Sequence, residues 1–356
     1  MNKKTKKRLR KLILTILFIG INAAVIIATA VNEFSDSENA TELMRVKLDG
    51  WMLIPAALCF TAMITLEFAK YVLMIKSAAK PGSFTRREVW KLASRVVLIG
   101  RYYDKVTPAA VGGQPAQILQ MRKTGKISNG MATAIPIFSM ISGQMAFLLV
   151  AIPCFLLGGV GNTHPALLAT AWFGLLFYAF WPIMVLGTSI SPKFTAWVIN
   201  LVVRTLARFK IVKNRDEAVA KVEEEVHAYT KNVRLVAKSP IVLGGTLLMS
   251  LASNFLIACI PYFVLSAFGG SINFWDAYFL TIAVQAAVYF IPTPGNSGAA
   301  EGTFYIVFSS LSTGYVFWAM MLWRFFEYYI YILLGPFIYL SMHLEKKRKE
   351  RDDHKK

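Results

Sequence analysis

The chain has 356 residues, 39 Lys+Arg against 20 Asp+Glu, and a formal net charge of +19. Hydrophobic residues make up 56% and charged residues 17%, against about 45–50% and about 25% in soluble globular proteins, which excludes a soluble domain. The cations cluster beside apolar runs of the length that crosses about 30 Å of hydrocarbon, so they point to loops facing anionic lipid rather than to nucleic acid.

Residues 1–11 carry seven Lys/Arg and lead into the apolar run Leu12–Val31. Ala28-Thr29-Ala30 resembles a signal-peptidase site, but the run exceeds the usual h-region of about 7–15 residues. An uncleaved first span leaving the cytoplasm is expected. The loop 32–49 holds Glu33, Asp36, Glu38, Glu42 and Asp49 against Arg45 and Lys47, which suits the outer face. Trp51–Ile75 returns to the basic loop 76–91. Further full spans are expected at 129–157, 166–188, 241–267 and 315–341, the last delivering Lys346-Lys347-Arg348-Lys349 to the cytoplasm. The loops 159–165 and 268–275 contain no Lys or Arg. Six crossings place every basic cluster, and both termini, on the cytoplasmic side of the cell membrane.

Two segments break this pattern. Residues 90–122 are moderately apolar but include Arg95, Arg101, Asp104, Lys105 and Arg122. Residues 276–312 are apolar but interrupted by Pro292-Thr293-Pro294-Gly295-Asn296-Ser297-Gly298. Proline and glycine at that density end helices, and the freed backbone groups are tolerated at membrane depth only inside protein or beside a watery cavity. Both segments are therefore expected to be re-entrant helix-loop-helix hairpins. Their breaks, Thr107-Pro108-Ala109-Ala110-Val111-Gly112 and Thr293-Pro294-Gly295-Asn296-Ser297-Gly298, share the pattern Thr-Pro-x-x-x-Gly. Three full spans separate them, so the hairpins open from opposite faces, the arrangement of an inverted repeat with broken helices. The expected fold is an all-α polytopic helical bundle, with one transmembrane domain over residues 1–342 and a basic tail over 343–356.

In the loop 189–240, Val219, Val222, Val226, Tyr229, Val233 and Val236 recur at helical spacing with charges opposite. Either a juxtamembrane helix lying on headgroups or a short partner-binding coiled coil fits this stripe. Cys59, Cys154 and Cys259 lie in apolar segments without pairing or ligand spacing, and His164, His227, His343 and His354 are scattered. No metal and no cofactor is expected. Nucleotide loops, nucleophile elbows and dinucleotide fingerprints are also missing.

Ionisable residues inside apolar segments are costly and point to function. They are Glu67 and Lys70, Asp104 and Lys105, Glu301, and Arg324 and Glu327. Glu67 with Lys70, and Arg324 with Glu327, are i,i+3 neighbours that can neutralise one another. Glu301 opens the helix after the second break, where free amides favour a carboxylate. It is either a capping acid paired with Arg324 or a carboxylate facing a polar cavity. Gly112-Gly113-Gln114-Pro115 either presents amide donors to a phosphate or forms a tight turn that lets the hairpins pack.

Three stretches carry a family resemblance: Thr107-Pro108 through Gly112-Gly113-Gln114-Pro115-Ala116-Gln117, Pro292 through Glu301, and Trp323-Arg324-Phe325-Phe326-Glu327-Tyr328-Tyr329. They resemble the lysylphosphatidylglycerol synthase transmembrane family, the flippase-like region of the bacterial multiple peptide resistance factor, over roughly residues 10–342. Gln114 and Gln117 stand where many relatives carry Glu and Arg, a version similar to the Gram-positive branch. The resemblance implies a membrane protein that moves phospholipid, with aminoacylated phosphatidylglycerol the best-known cargo, and implies a part in cationic-peptide resistance. It adds Thr107, Pro108, Gly112, Gly113, Gln114, Gln117, Pro294, Gly295, Gly298, Glu301, Arg324 and Glu327 as candidate lipid-contacting residues. Full-length members have a soluble domain that transfers lysine to phosphatidylglycerol. The chain ends at Lys356, leaving no room for it, so lysyltransferase chemistry is not expected here despite the family's name. A translocase is the first expectation; an accessory subunit positioning a separate lipid synthase or glycosyltransferase through loop 189–240 is the second, and an intramembrane transferase the third.

Overall fold

The computed structural model describes residues 48–157, 165–208, 239–309 and 316–353, with Ile27 and Val31. The remainder of the first expected span, and the amphipathic stripe from Val219 to Val236, lie outside the described residues. The described chain is helical throughout: α1 Leu53–Ala78, α2 Arg86–Val106, α3 Gly113–Arg122, α4 Asn129–Leu156, α5 Pro165–Ile190 and α6 Pro192–Arg208. After the undescribed segment come α7 Pro240–Ala267, α8 Phe274–Val288, α9 Ala299–Ser309, α10 Val316–Arg324 and α11 Ile330–Asp353, with a π-helical turn, Phe325–Tyr329, joining α10 to α11. This is an all-α polytopic membrane bundle.

Five segments are long and apolar enough to cross a membrane: Gly50–Ala78, Asn129–Leu156, Pro165–Thr188, Pro240–Ala267 and Val316–Met342. They coincide with five of the six spans expected from the sequence. Polar residues at the boundaries start these helices by accepting bonds from otherwise unpaired first-turn amides. Ser128 caps α4 at Met131, Ser239 caps α7 at Val242, and Asn273 caps α8 at Trp275. Thr85 and Glu88 form a reciprocal capping box at the start of α2.

Two of the helices that do not span are the broken ones. The 15 residues of α8 reach about 22 Å at 1.5 Å per residue, short of the hydrocarbon thickness, and α2 is too densely charged to face lipid. Both end in a 3-10 turn, Pro108–Ala110 after α2 and Pro294–Asn296 after α8. The two turns are conformational copies over their first four residues. In each, an extended Thr precedes proline, and the next two residues adopt left-handed φ: Ala109 +54° and Ala110 +50°, then Gly295 +59° and Asn296 +55°. Equivalent bonds close them, from the Ala110 amide to the Thr107 carbonyl at 3.2 Å and from the Asn296 amide to the Thr293 carbonyl at 3.1 Å. The turns pack directly against each other, and α2 packs against the second turn. The shared Thr-Pro-x-x-x-Gly pattern is thus a shared backbone geometry over its first four residues, brought to one place in the bundle, after which Val111 turns helical and Ser297 extended.

Packing around this point divides into three apolar clusters. The first joins α7, α8, α9 and α10, with Phe304, Phe308 and Trp323 fully buried. The second joins α1, α2 and α4 around Met74, Ile75, Val96 and Ile135. The third joins α4, α5, α7 and α8 around Phe147, Leu175 and Ile282. At one end of the bundle α11 lies along α2: Gly335 meets the Tyr102 ring so closely that a Cβ there would clash, and the Tyr339 hydroxyl donates to that of Tyr103 at 2.8 Å.

Candidate functional site

A cavity of about 690 Å³ opens where the two turns meet, within the usual size of a ligand pocket. Its wall draws on α1, α2, the first turn, α3, α4, α5, α7, α8, the second turn, α9, α10 and the π-helical turn. Seven of its lining side chains carry formal charge: Glu67, Lys70, Arg101, Asp104, Lys105, Arg324 and Glu327. Charge in a bundle otherwise this apolar survives only where partners or water compensate it.

Part of that charge is internally neutralised. The Lys70 ammonium donates to Glu67 Oε1 at 2.9 Å and to the Ser250 hydroxyl at 3.2 Å, and Ser250 contacts Ser142 at 3.3 Å. Glu67 Oε2 lies 3.6 Å from the Arg101 guanidinium. The i,i+3 neutralisation expected of Glu67 and Lys70 is present, and it forms part of the cavity wall. Asp104 accepts a bond from the Gly113 amide at 3.0 Å. Lys105 has no hydrogen bond and no ion pair among the described residues, and Arg101 has only the long approach to Glu67. Both face the cavity.

The second turn is held by a buried ion pair. Glu301 Oε1 accepts from Arg324 Nε at 2.7 Å, while Oε2 accepts from the Gly298 amide at 2.7 Å. Arg324 also donates to the Ser297 hydroxyl at 2.9 Å and the Gly295 carbonyl at 3.3 Å, and lies over the Tyr328 ring. The capping-and-pairing arrangement of Glu301 is therefore the one realised, and Glu301 does not line the cavity. Gly295 admits the Tyr328 ring where a Cβ would clash. Asn296 closes the end of α8 by donating to the Val288 carbonyl at 3.0 Å.

In the first turn, Thr107 donates to the Tyr103 carbonyl at 2.7 Å and accepts from the Gly112 amide at 2.9 Å. The Gly112 and Gly113 amides are thus spent on Thr107 and Asp104. A Cβ on either glycine would clash with that partner. Of the two alternatives for this glycine pair, the tight packing turn is the one present, with both glycine amides already bonded. Gln117 accepts from the Tyr71 hydroxyl at 3.0 Å and packs onto Gly100, where any Cβ would collide with it.

Among the candidate residues, Gln114, Gln117, Gly295, Arg324 and Glu327 line the cavity, whereas Thr107, Pro108, Gly112, Gly113, Pro294, Gly298 and Glu301 build the turns behind it. The motifs led to the frame more than to the wall. Missed were Tyr71, Gln144, Tyr178, Ser250, Asn254, Gln285 and Tyr289. Each is a polar residue within an apolar segment, a signal too common to single out, whereas Arg101 and Lys105 were visible as cations in an apolar hairpin.

A family model described as the lysylphosphatidylglycerol synthase TM region matches residues 12–335. No curated protein and no solved structure matches the chain. With the matched region covering both broken helices and nearly all of the bundle, the chain belongs to the lysylphosphatidylglycerol synthase transmembrane family.

Proposed function

We propose that this chain is a lipid translocase of the cell membrane, moving a phospholipid headgroup between leaflets through the central cavity while the acyl chains stay in lipid. Lysyl-phosphatidylglycerol or a related anionic lipid or glycolipid is the cargo class. The observation that carries the reading is the pairing of Arg101 and Lys105, two cavity-facing cations without close partners, beside two broken helices. The phospholipids of this class have an anionic phosphodiester, and desolvated cations are the groups that receive one. Broken helices meeting at a polar centre are how many transporters admit polar cargo to membrane depth. The family of the chain, the transmembrane region of a lipid synthase, supports a lipid as the ligand.

The test is movement of tail-labelled phosphatidylglycerol in proteoliposomes holding only this protein, with wild type compared against Lys105→Met. Movement well above protein-free liposomes, cut about tenfold or more in Lys105→Met at unchanged thermal stability, is the expected result. Folded wild-type protein that moves no lipid would overturn the assignment.

A further inference from the structure

Gln144 sits on α4 in the cavity wall, 4% exposed. Its Nε2 donates to the Tyr289 hydroxyl at 3.0 Å, which fixes the amide plane, while Oε1 has no partner among the described residues. The backbone beside it is pinned as well, since Asn254 Nδ2 donates to the Gly143 carbonyl at 3.2 Å. Behind the amide stands an aromatic wall, with Tyr178 and Tyr289 centroids 4.0 Å apart and Phe147 and Tyr178 4.8 Å apart. Burying an amide oxygen unpaired is unfavourable, and this one belongs to a residue of the cavity wall. An acceptor held that way is suited to a ligand that brings a donor.

The same cavity presents the opposite chemistry on α2. Arg101 and Lys105 offer only donors, suited to a phosphodiester. The two regions line one and the same cavity, with Arg101 and Lys105 on one helix and Gln144, Tyr178 and Tyr289 on others. A headgroup with its phosphate at Arg101 and Lys105 would therefore direct its distal group toward the α4–α8 wall. Because Gln144 is neutral, it can accept from a hydroxyl or from an ammonium. It has nothing to offer a quaternary amine or a methyl ester.

We propose that Gln144 Oε1 reads a hydrogen-bond donor carried beyond the phosphodiester, making Gln144 a specificity-determining residue that selects headgroups ending in a hydroxyl or ammonium. The inference rests on the translocase reading only in taking the ligand to be a lipid. Its logic separates hydrogen-bond donation from net charge. Phosphatidylglycerol and phosphatidylmethanol have equal charge and differ in the distal donor, and phosphatidylethanolamine and phosphatidylcholine form a second such pair.

The experiment uses the full chain in mixed micelles, with the four lipids, matched in acyl chains, competing against tail-labelled phosphatidylglycerol. Phosphatidylglycerol and phosphatidylethanolamine should each compete about tenfold better than their donor-free counterparts, the scale of one hydrogen bond. Gln144→Met should bring each pair to within about twofold, and Gln144→Glu, which keeps an acceptor, should retain the preference. Equal binding within both pairs in wild type overturns the inference, including the case in which Gln144 merely holds water. So does a preference that survives in Gln144→Met, or one lost in folded Gln144→Glu. A preference confined to one pair supports the inference and identifies the donor as hydroxyl or ammonium. The wild-type comparison stands even if neither variant folds. Lipid movement is followed in the same preparations. Selective binding without movement would sustain the Gln144 assignment while removing the translocase reading, and unselective movement would do the reverse.

Discussion

Arg324 Nε lies 2.7 Å from Glu301 Oε1 with both side chains 2% exposed, so the helix that follows the second break is tied to the last span by an ion pair shut away from solvent. The pair is fully supported: the other carboxylate oxygen caps Gly298, and the guanidinium reaches Ser297 and Gly295. Removing one partner leaves a buried charge uncompensated, typically a loss of about 3–5 kcal/mol, whereas exchanging both for apolar groups is often neutral or stabilising. Glu301→Gln should therefore destabilise the protein by roughly that amount, and the double variant Glu301→Gln with Arg324→Met should recover much of it. Thermal unfolding in detergent checks both. A Glu301→Gln protein as stable as wild type would show that the pair does not hold the turn.

The two copied turns place different residues in the same backbone state. Left-handed φ costs a non-glycine residue about 1–2 kcal/mol, so Ala109 at φ +54° bears a strain that Gly295 at +59° escapes. Ala109→Gly relieves that strain but gives up about 0.5–1 kcal/mol to backbone freedom, and should leave stability unchanged or slightly higher. Gly295→Ala adds the strain and drives a Cβ into the Tyr328 ring, where overpacking alone costs about 1–3 kcal/mol. The prediction is an asymmetry: thermal melts should show Gly295→Ala clearly destabilised and Ala109→Gly not. Equal effects in both would mean that the turns are not conformational equivalents.

The spans, the two breaks and their kinship were legible because each rests on a strong local rule: sustained apolarity, proline's missing amide, and the repeated Thr-Pro-x-x-x-Gly. The site was legible only in part. Gly112 and Gly113 read equally well as a phosphate cradle or a packing turn, and Asp104, nine residues before Gly113, decides between them by taking its amide. Nothing in the sequence reports that long-range bond. Glu301 was equally ambiguous until Arg324, 23 residues away, could be placed against it. Gln144 gave no signal because an isolated amide in an apolar helix becomes informative only when one of its polar atoms is seen to be unpaired.

Gly100 and Gln117 test the first hairpin without touching its charges. The Gln117 amide group fills the space a Cβ on Gly100 would occupy, and its Oε1 accepts from Tyr71 on α1. Gly100→Ala must expel Gln117, losing that bond and overpacking a close helix contact, at a cost of about 1–3 kcal/mol. Gln117→Ala opens the space but gives up the bond from the Tyr71 hydroxyl. The double variant Gly100→Ala with Gln117→Ala should be more stable than Gly100→Ala alone, because the added methyl then meets no side chain. Additive losses in a double-mutant cycle would contradict this packing.

Glu345 lies just past the last span, which ends at Met342, and ties α11 to α2 through Arg95 at 2.5 Å and Lys91 at 2.6 Å. The Arg95 bond, reinforced by Lys91, holds its carboxyl down at about 2. A carboxylate whose folded pKa is depressed contributes its stabilisation above the unfolded value of about 4.3, and the contribution is lost as pH falls through the folded value. Docking of this end of α11 onto α2 should therefore be constant from neutral pH down to about 4.5 and weaken progressively toward about 2. Because the side chains are 39% exposed at Glu345 and 51% at Lys91, high salt should weaken it too. Spin-label distances between the end of α11 and the start of α2 would follow the separation. Glu345→Gln should show the undocked distance across the whole pH range, and a distance that stays short in this variant would place the docking in the Tyr103–Tyr339 contact instead.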